Sequence, residues 1–163
     1  MSYWSDRQHL NYYATVKQWL EPFSGTLLDI GCADTPVAQW GNFEKRYAVN
    51  DLPFPPLDGV ECLQADWMKC DLTADVITCL QVLEHFKPSV LIPFVDKIFS
   101  SCETAIISVP YMWPAGLCRG HVQDPIDVRK FIDLVGRCPA KLDIVEDNNY
   151  YRLIALFKKA SSG

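Results

Sequence analysis

The chain lacks the features that mark several common protein classes. Its 163 residues contain no apolar run long enough to span a bilayer, and they open with the polar and aromatic stretch MSYWSDRQHL, which has no apolar signal-peptide core. Basic residues are outnumbered, with 15 Lys and Arg against 20 Asp and Glu and a net charge of −5. Proteins that bind a bare nucleic-acid backbone usually carry a basic surface. We therefore expect a cytoplasmic protein with no membrane span and no nucleic-acid partner.

Paired cysteines are also lacking. The chain has seven cysteines, an odd number, and none of them forms a CxxC pair. An odd count argues against a secreted disulfide framework, and the scattered spacing argues against a zinc site. We therefore predict reduced thiols that fill core space. The length suits one compact domain, which we place over residues 1–163.

Mostly apolar runs separated by short connections predict the elements of the fold. The predicted strands are Thr26–Ile30, Arg46–Asn50, Val60–Gln64, Asp75–Leu80 and Thr104–Val109, followed by a hairpin in KLDIVEDNNYYRLIALFKK. The predicted helices are Asp6–Leu20 with a Ser5/Gln8 capping box, a brief one at Pro36–Trp40, Ser89–Ser101 with a kink or a late start at Pro93, and one capped by Asp124 that ends at Gly136. This order predicts an α/β fold, a doubly wound and mostly parallel seven-stranded sheet with an antiparallel C-terminal hairpin.

Three carboxylates, Asp29, Asp51 and Asp66, stand at the ends of successive predicted strands. Ligands of open α/β sheets bind beyond the carboxyl ends of the strands, so these groups should converge on one crevice. Asp51 follows Gly31 by 20 residues, the spacing at which an acid binds a ribose diol in dinucleotide folds. The turn is neither GxGxxG nor a GK[ST] phosphate loop, and Asp29 and Asp34 would repel a pyrophosphate. The pattern favours a cationic, phosphate-free adenosine ligand such as S-adenosylmethionine.

The sequence resembles the class I S-adenosylmethionine-dependent methyltransferases, in a small and minimal form. The resemblance rests on LLDIGCADTP, YAVND, LQADW, DVITCLQVLEHF and ISVPY, in this order, and covers nearly the whole chain. The first motif of that family reads acid-x-Gly-x-Gly. Here Asp29, Gly31 and Ala33 stand at those positions, so alanine replaces the second glycine.

The resemblance implies a Rossmann-like methyltransferase fold and a site for S-adenosylmethionine. The first motif would wrap the methionine part, Asp51 would take the ribose hydroxyls, and Asp66 would accept from the adenine amino group with Trp67 beside the ring. The implied cofactor-binding residues are Asp29, Gly31, Cys32, Ala33, Asn50, Asp51, Asp66, Trp67, Leu80 and Gln81. A lid helix in residues 1–22 would cover a core in residues 23–163.

Side chains that could act on an acceptor follow the fourth and fifth predicted strands. The candidates near the crevice are Glu84, His85, Tyr111, His121 and Asp124. We predict His85 and His121 as catalytic, because a general base helps when the acceptor is a hydroxyl, and Asp124 could raise the basicity of His121. Bracing of a neighbouring helix or loop is the alternative role of each histidine. Tyr111, Trp113 and Asp124 are predicted to contact the acceptor, with packing as the alternative. The spacing of His85, His121 and Asp124 matches no closed metal site, so we expect no metal.

The sequence thus predicts an enzyme of the EC 2.1.1 type that uses S-adenosylmethionine to methylate oxygen on a small-molecule, glycan or lipid-linked acceptor by direct displacement. Short crossovers leave the acceptor side open, so the acceptor would be bulky or a second subunit of a homodimer would complete the site. The altered glycine turn leaves a non-catalytic partner or scaffold subunit of the same fold as the alternative. A nicotinamide-dependent enzyme is disfavoured because GxGxxG is absent.

Overall fold

The structure, a computed structural model, describes residues 2–161, so positions 1, 162 and 163 of the predicted domain lie outside the described residues. In chain order the described part forms α1 (Asn11–Leu20), β1 (Thr26–Ile30), β2 (Lys45–Asn50), β3 (Glu61–Gln64), β4 (Ala74–Leu80), α2 (Pro88–Ser100), β5 (Cys102–Tyr111), α3 (Val128–Val135), β6 (Lys141–Asp147) and β7 (Tyr150–Lys158). Short 3-10 turns lie at Val37–Gln39, Trp67–Lys69 and Leu83–His85.

The described strands form one seven-stranded sheet in the order β3-β2-β1-β4-β5-β7-β6. The first five strands pair in parallel, and β7 pairs antiparallel with both β5 and β6. The chain runs outward from β1 to β3 and then returns to β4 on the other side of β1, so the order reverses between β1 and β4. The predicted doubly wound sheet with an antiparallel C-terminal hairpin is confirmed, and this reversal is where such sheets bind ligands.

Burial on both faces explains why the central strands carry continuous apolar runs. On β1, Leu28 packs into a large core cluster with α2 and α3, while the neighbouring Leu27 packs into a second cluster with α1. Successive side chains of a strand point to opposite faces, so a strand covered on both sides needs apolar residues at every position. The site therefore rests on a sheet that is buried between two layers.

The predicted C-terminal hairpin is also confirmed. Asn148 and Asn149 connect β6 to β7 and have φ angles of 52° and 66°. A two-residue hairpin turn with positive φ at both positions matches the right-handed twist of the strands, and asparagine tolerates this conformation well.

The first helix starts later than predicted. The helix α1 begins at Asn11 rather than at Asp6. The predicted capping box does not form, because the N–H of Gln8 donates to the carbonyl of Trp4 and the hydroxyl of Ser5 donates to the carbonyl of Ser2. Asp147, at the end of β6, accepts hydrogen bonds from the backbone N–H of Asn11 at 2.7 Å and of Tyr12 at 3.0 Å. An acceptor more than a hundred residues away in the sequence therefore takes the place of the local cap.

The last predicted helix also differs at its start. The helix α3 begins at Val128, and its cap is Asp127, whose carboxylate accepts from the N–H of Lys130 at 2.7 Å. Asp124, the predicted cap, instead hydrogen-bonds His121. The predicted end of α3 is confirmed, because Gly136 has a φ of 72° and closes the helix in the left-handed conformation.

The predicted brief helix at 36–40 is a single 3-10 turn, Val37–Gln39. The helix α2 begins at Pro88, so of the predicted kink or late start at Pro93 the late start is wrong, and the exposed Pro93 lies within the helix. A proline on the exposed side is tolerated, since water can satisfy the carbonyl that loses its intrahelical partner. None of the helices in the described residues is long and apolar enough to cross a membrane.

Replacing the remote cap should weaken the fold. Asp147→Ala is expected to lower the free energy of unfolding by about 1–2 kcal/mol, because two helix-starting N–H groups lose a largely buried acceptor. Urea unfolding measures the effect. Glu146→Ala is the matched control, since its side chain is exposed, and should change stability by less than about 0.5 kcal/mol. Equal losses in the two variants would contradict the capping role of Asp147.

Candidate active site

A cavity of about 580 Å³ opens where β1 and β4 end. Its walls come from the N-terminal segment and α1, the turns after β1 and β4, the loop after β5, and β7. This size lies within the roughly 300–1,000 Å³ of small-molecule sites, and the position is the reversal point of the sheet. The sequence-predicted crevice is therefore present as a cavity in the described part of the chain.

The turn after β1 forms one wall through unusual backbone angles. Gly31 has a φ of 72°, and a Cβ there would lie 2.5 Å from the Cγ2 of Val82. Ala33 has a φ of 47°, so the residue that replaces the family's second glycine adopts a conformation that glycine favours. The side chain of Asn50 accepts from the N–H of Ala33 at 3.4 Å, and Thr35 donates from both its N–H and its Oγ1 to the carbonyl of Cys32. The turn is thus held in shape from both sides.

Asp29 lies at the base of this wall. Its Oδ1 accepts from Thr78 Oγ1 at 2.6 Å, across the β1–β4 pair. Its Oδ2 is buried and has no hydrogen-bond partner within residues 2–161. Burial raises the pKa of Asp29 to about 7, although the hydrogen bond from Thr78 opposes this rise. A buried carboxylate with an unpartnered oxygen in a cavity wall is suited to a cationic ligand.

The turn after β4 forms the facing wall. Gln81 has a φ of 57° and donates from its Nε2 to Ser108 Oγ at 3.2 Å. Ser108 also shares a hydrogen bond with the hydroxyl of Tyr12, which is completely buried. Burial raises the pKa of Tyr12, so this phenol stays protonated. The chain of hydrogen bonds ties the turn after β4 to β5 and to α1.

Two histidines and a glutamate meet at the far end of the cavity. The Oε1 atom of Glu84 lies 3.9 Å from Nε2 of His85 and 4.0 Å from Nε2 of His121. The Nδ1 atom of His121 is hydrogen-bonded to Asp124 Oδ2 at 2.7 Å, and Nδ1 of His85 is hydrogen-bonded to the carbonyl of Gly120 at 3.1 Å. We call Glu84, His85 and His121 the polar triad. Its members come from the 3-10 turn after β4 and from the loop after β5.

Backbone hydrogen bonds fasten these two segments together. The carbonyl oxygen of Glu84 accepts from the N–H groups of Val122 at 2.9 Å and Gln123 at 3.2 Å. The Gln123 side chain donates to the carbonyl of Phe86 at 2.7 Å. The indole of Trp113 stacks on His121 with a centroid distance of 6.0 Å. The polar triad is therefore preorganised rather than formed by two independent loops.

Burial shifts the pKa values of Glu84 and His85. It raises the pKa of Glu84 to about 8, with a smaller contribution from the charge of Asp124. Burial also lowers the pKa of His85, which favours the neutral imidazole. These shifts disfavour charge at both sites when no counterion is nearby.

The cavity gathers most, but not all, of the predicted site residues. Those that line it are Asp29, Gly31, Cys32, Ala33, Leu80, Gln81, His85, His121 and Trp113. Asn50 stands just outside, bonded to the turn, and Asp51 is exposed beside it. Asp66 is exposed as well, and its carboxylate accepts from the N–H of Met68 at 2.9 Å. Tyr111 lies apart from the cavity and packs against the core, and Asp124 acts through His121 rather than as part of the wall.

The predicted position of Trp67 beside an adenine ring is wrong. Its indole is only 3% exposed and packs in the main core, with the ammonium of Lys97 4.5 Å from the ring centroid. A large aromatic side chain gains more from burial against the sheet than from a place at its rim.

Sequence reasoning missed several residues that shape the site. Thr78 and Ser108 were not predicted because their roles depend on which strands are neighbours. Glu84 was only a candidate, although its position next to His85 was visible in the sequence. Arg152 lines the cavity from β7, with its guanidinium 5.2 Å from the ring centroid of Trp113, and carried no sequence signal.

The chain is similar in structure to methyltransferases. A structure of magnesium protoporphyrin IX methyltransferase (ChlM) from Synechocystis PCC 6803 with bound SAH aligns with a TM-score of 0.69 and 16% identity over 93% of this chain and 84% of that one. N-methyltransferase NodS from Bradyrhizobium japonicum WM9 aligns with a TM-score of 0.68 and 13% identity over 96% and 97% of the two chains. The small RNA methyltransferase HEN1 aligns with a TM-score of 0.74 and 16% identity over 96% of this chain but 26% of its own.

No family model matches the chain, and no curated protein matches it. At these sequence identities the structural likeness establishes the fold. The chain has the Rossmann-like class I methyltransferase fold that the sequence resemblance predicts.

The two positive-φ residues of the first turn should differ in how strongly substitution affects stability. Gly31→Ala is expected to lower the free energy of unfolding by about 1–3 kcal/mol, because the new Cβ meets Val82 in a conformation that alanine disfavours. Ala33→Gly should leave stability within about 1 kcal/mol of the original, because relief of the strained φ offsets the added freedom of the unfolded chain. Urea unfolding compares them. A loss in Ala33→Gly as large as in Gly31→Ala would contradict this account.

Asp29 should make the ligand-free fold less stable as the pH rises. Its folded pKa of about 7 exceeds the ordinary 3.8, so the folded state holds the proton more tightly and stability falls between about pH 4 and 7. The slope from this group is at most about 1.4 kcal/mol per pH unit. Asp29→Asn removes it, so the stability difference between variant and original should grow from pH 5 to pH 7 and then level off. A difference that does not change with pH would contradict a buried, proton-binding Asp29.

Proposed function

We propose that the chain is an S-adenosylmethionine-dependent methyltransferase that methylates a hydroxyl of a small-molecule, glycan or lipid-linked acceptor by direct displacement. The observation that carries the proposal is the unpartnered, buried Oδ2 of Asp29 in the same cavity as the polar triad. One end of the cavity suits a cationic cofactor, and the other end suits an acceptor hydroxyl.

The residues at the first end fit the methionine part of the cofactor. S-adenosylmethionine supplies a methyl group on a sulfonium sulfur when it is bound. Its ammonium would give the buried Asp29 carboxylate the cationic partner that the described residues do not provide. The left-handed turns at Gly31 and Gln81 place backbone, rather than side chains, against this space. Asp51 and Asn50 are proposed to take the ribose, and Asp66 the adenine amino group.

The N-terminal segment is proposed as the lid. Tyr3 and Arg7 line the cavity, and the N–H of Trp4 donates to Asp34 in the turn after β1 at 2.9 Å. The helix α1 itself is packed into the core, so the part proposed to cover the cofactor is the stretch before it, within the predicted residues 1–22.

The polar triad supports oxygen as the target. In the tautomer that each Nδ1 bond requires, the free Nε2 atoms of His85 and His121 present lone pairs near the cavity, and both are proposed to act on the acceptor hydroxyl. The similar structures include a magnesium protoporphyrin IX methyltransferase and a small RNA methyltransferase, so the acceptor class is proposed from this cavity and not from the fold. The homodimer and the cytoplasmic location stay predictions.

Calorimetric titration with S-adenosylmethionine and its demethylated product S-adenosylhomocysteine tests the cofactor site. The chain is expected to bind both in the micromolar range, and Asp51→Ala should weaken both by about tenfold to a hundredfold through the lost charged hydrogen bonds to ribose. Asp58→Ala is the control, because that exposed acid lies in the following loop and only its backbone carbonyl is bonded. It should bind like the original chain.

Failure of either ligand to bind would overturn the proposal. The alternative of a non-catalytic subunit would then account for the alanine at position 33. If Asp51→Ala bound both ligands as tightly as the original chain, the ribose would not be bound at the end of β2.

A further inference from the structure

Three hydrogen-bond acceptors converge in the polar triad. One candidate ligand atom each of Glu84, His85 and His121 lies within 4.8 Å of the other two, and Oε1 of Glu84 lies 3.9 Å and 4.0 Å from Nε2 of the two histidines. From this geometry we propose that the polar triad binds one divalent cation and leaves coordination positions open toward the cavity. This binding stands independently of methyl transfer, whereas the role of the cation with an acceptor rests on the proposed function.

The tautomers of both histidines are set by their neighbours. A carbonyl oxygen can only accept a hydrogen bond, so Nδ1 of His85 must be the donor to Gly120. The carboxylate of Asp124 fixes His121 in the same way at 2.7 Å. Each neutral ring therefore carries its lone pair on Nε2, the atom that faces Glu84. Metal-binding histidines in proteins are oriented by the same kind of carbonyl and carboxylate partners.

Glu84 gives the second, independent indication. Its side chain is 1% exposed, and its Oε2 has no hydrogen-bond partner in the part of the chain that the structure describes. A proton on Glu84 could be shared with only one of the two histidines. A cation could bind all three acceptors at once, and would also compensate the buried negative charge.

The distances suit a cation after a small contraction. Atoms bound to a cation at about 2.0–2.2 Å lie roughly 3–3.5 Å apart. The separations from Glu84 Oε1 are 3.9 and 4.0 Å, and the candidate ligand atoms of the three residues all lie within 4.8 Å of one another, so each atom would move inward by roughly 0.5 Å. Two imidazoles and one carboxylate favour a transition-metal cation such as Zn²⁺ or Co²⁺ over Mg²⁺. Three protein ligands leave room for a further one, as in catalytic rather than structural sites.

In the proposed reaction, the cation would bind the acceptor oxygen and lower the pKa of its hydroxyl. The hydroxyl proton passes to water, the oxygen forms a bond to the methyl carbon, and the carbon–sulfur bond breaks with its electron pair going to sulfur. His85 and His121 would then serve as ligands rather than as proton acceptors, which revises the role predicted for them. Asp124 would be a positioning residue that holds His121.

Titration of the chelator-treated chain with Co²⁺, followed by calorimetry and visible absorption, tests the site. One Co²⁺ per chain is expected, with the absorption bands of nitrogen and oxygen ligands and without thiolate charge transfer. Glu84→Gln and His85→Gln should each weaken binding by at least about tenfold, and Asp124→Asn by about 10–100-fold. Saturating Co²⁺ should raise the Tm of the original chain and not that of Glu84→Gln.

Two control variants exclude adventitious binding. His9→Gln removes an exposed histidine far along the chain from the triad, and Cys118→Ser removes the thiol that also lines the cavity. Both should bind Co²⁺ like the original chain. The proposal is overturned if Co²⁺ does not bind, if Glu84→Gln binds equally well, or if Cys118→Ser abolishes binding. If Glu84→Gln does not fold, Asp124→Asn and His85→Gln decide the question.

Titrations of the same protein with Co²⁺ and with S-adenosylmethionine distinguish a failure of the cation site from a failure of the proposed function. Binding of S-adenosylmethionine without Co²⁺ binding would overturn the cation site and leave methyl transfer standing. Co²⁺ binding without S-adenosylmethionine binding would support the cation site and count against a methyltransferase.

Discussion

The parallel pairing of β1 with β4 is the constraint on which the site depends. The chain leaves β1 toward one edge of the sheet and leaves β4 toward the other, so the two following turns separate and open a cavity between them. The register of this pair places Asp29 opposite Thr78, which supplies the one hydrogen bond to the buried carboxylate. Gly31 and Gln81, which directly follow the two strands, both have left-handed backbone angles. A slip of one residue would point Asp29 to the other face of the sheet and remove it from the cavity.

Much of the fold could be predicted from the sequence because its signals are local. Apolar runs marked β1 to β4 to within one residue at each end and β5 to within two, and paired asparagines marked the hairpin turn. Helix starts were less predictable, because their N–H groups can be satisfied from anywhere in space. Ser5 looked like a cap for the first helix, yet Asp147 takes that role from the far end of the chain. Asp124 looked like a cap for α3, yet its carboxylate is hydrogen-bonded to His121.

The site was predictable only where a motif sits at a strand end. Asp29 and Gly31 follow from the first strand, and the two histidines follow from loops expected at the same edge. Their meeting with Glu84 depends on how the loop after β5 folds back, which backbone bonds to the Glu84 carbonyl decide. For Trp67, in contrast, the sequence suggested a place in the site that the residue does not have. An aromatic residue near a predicted ligand suggested stacking, whereas the core offered its indole a better apolar environment.

Buried carboxylates are the reason why we propose cationic groups at both ends of the cavity. Asp29, Glu84 and Asp124 each have a buried carboxylate oxygen with no hydrogen-bond partner among residues 2–161. Each such group destabilises a fold by about 1–3 kcal/mol, which is large beside a typical net stability of about 5–15 kcal/mol. Asp29 and Glu84 line the cavity and Asp124 bonds to His121 in its wall, whereas the fourth buried side-chain atom without a partner in this range, Nε1 of Trp67, lies away from it in the core. An ammonium at Asp29 and a metal cation at Glu84 would compensate the charge at both ends. Most of this destabilisation therefore lies where binding can offset it.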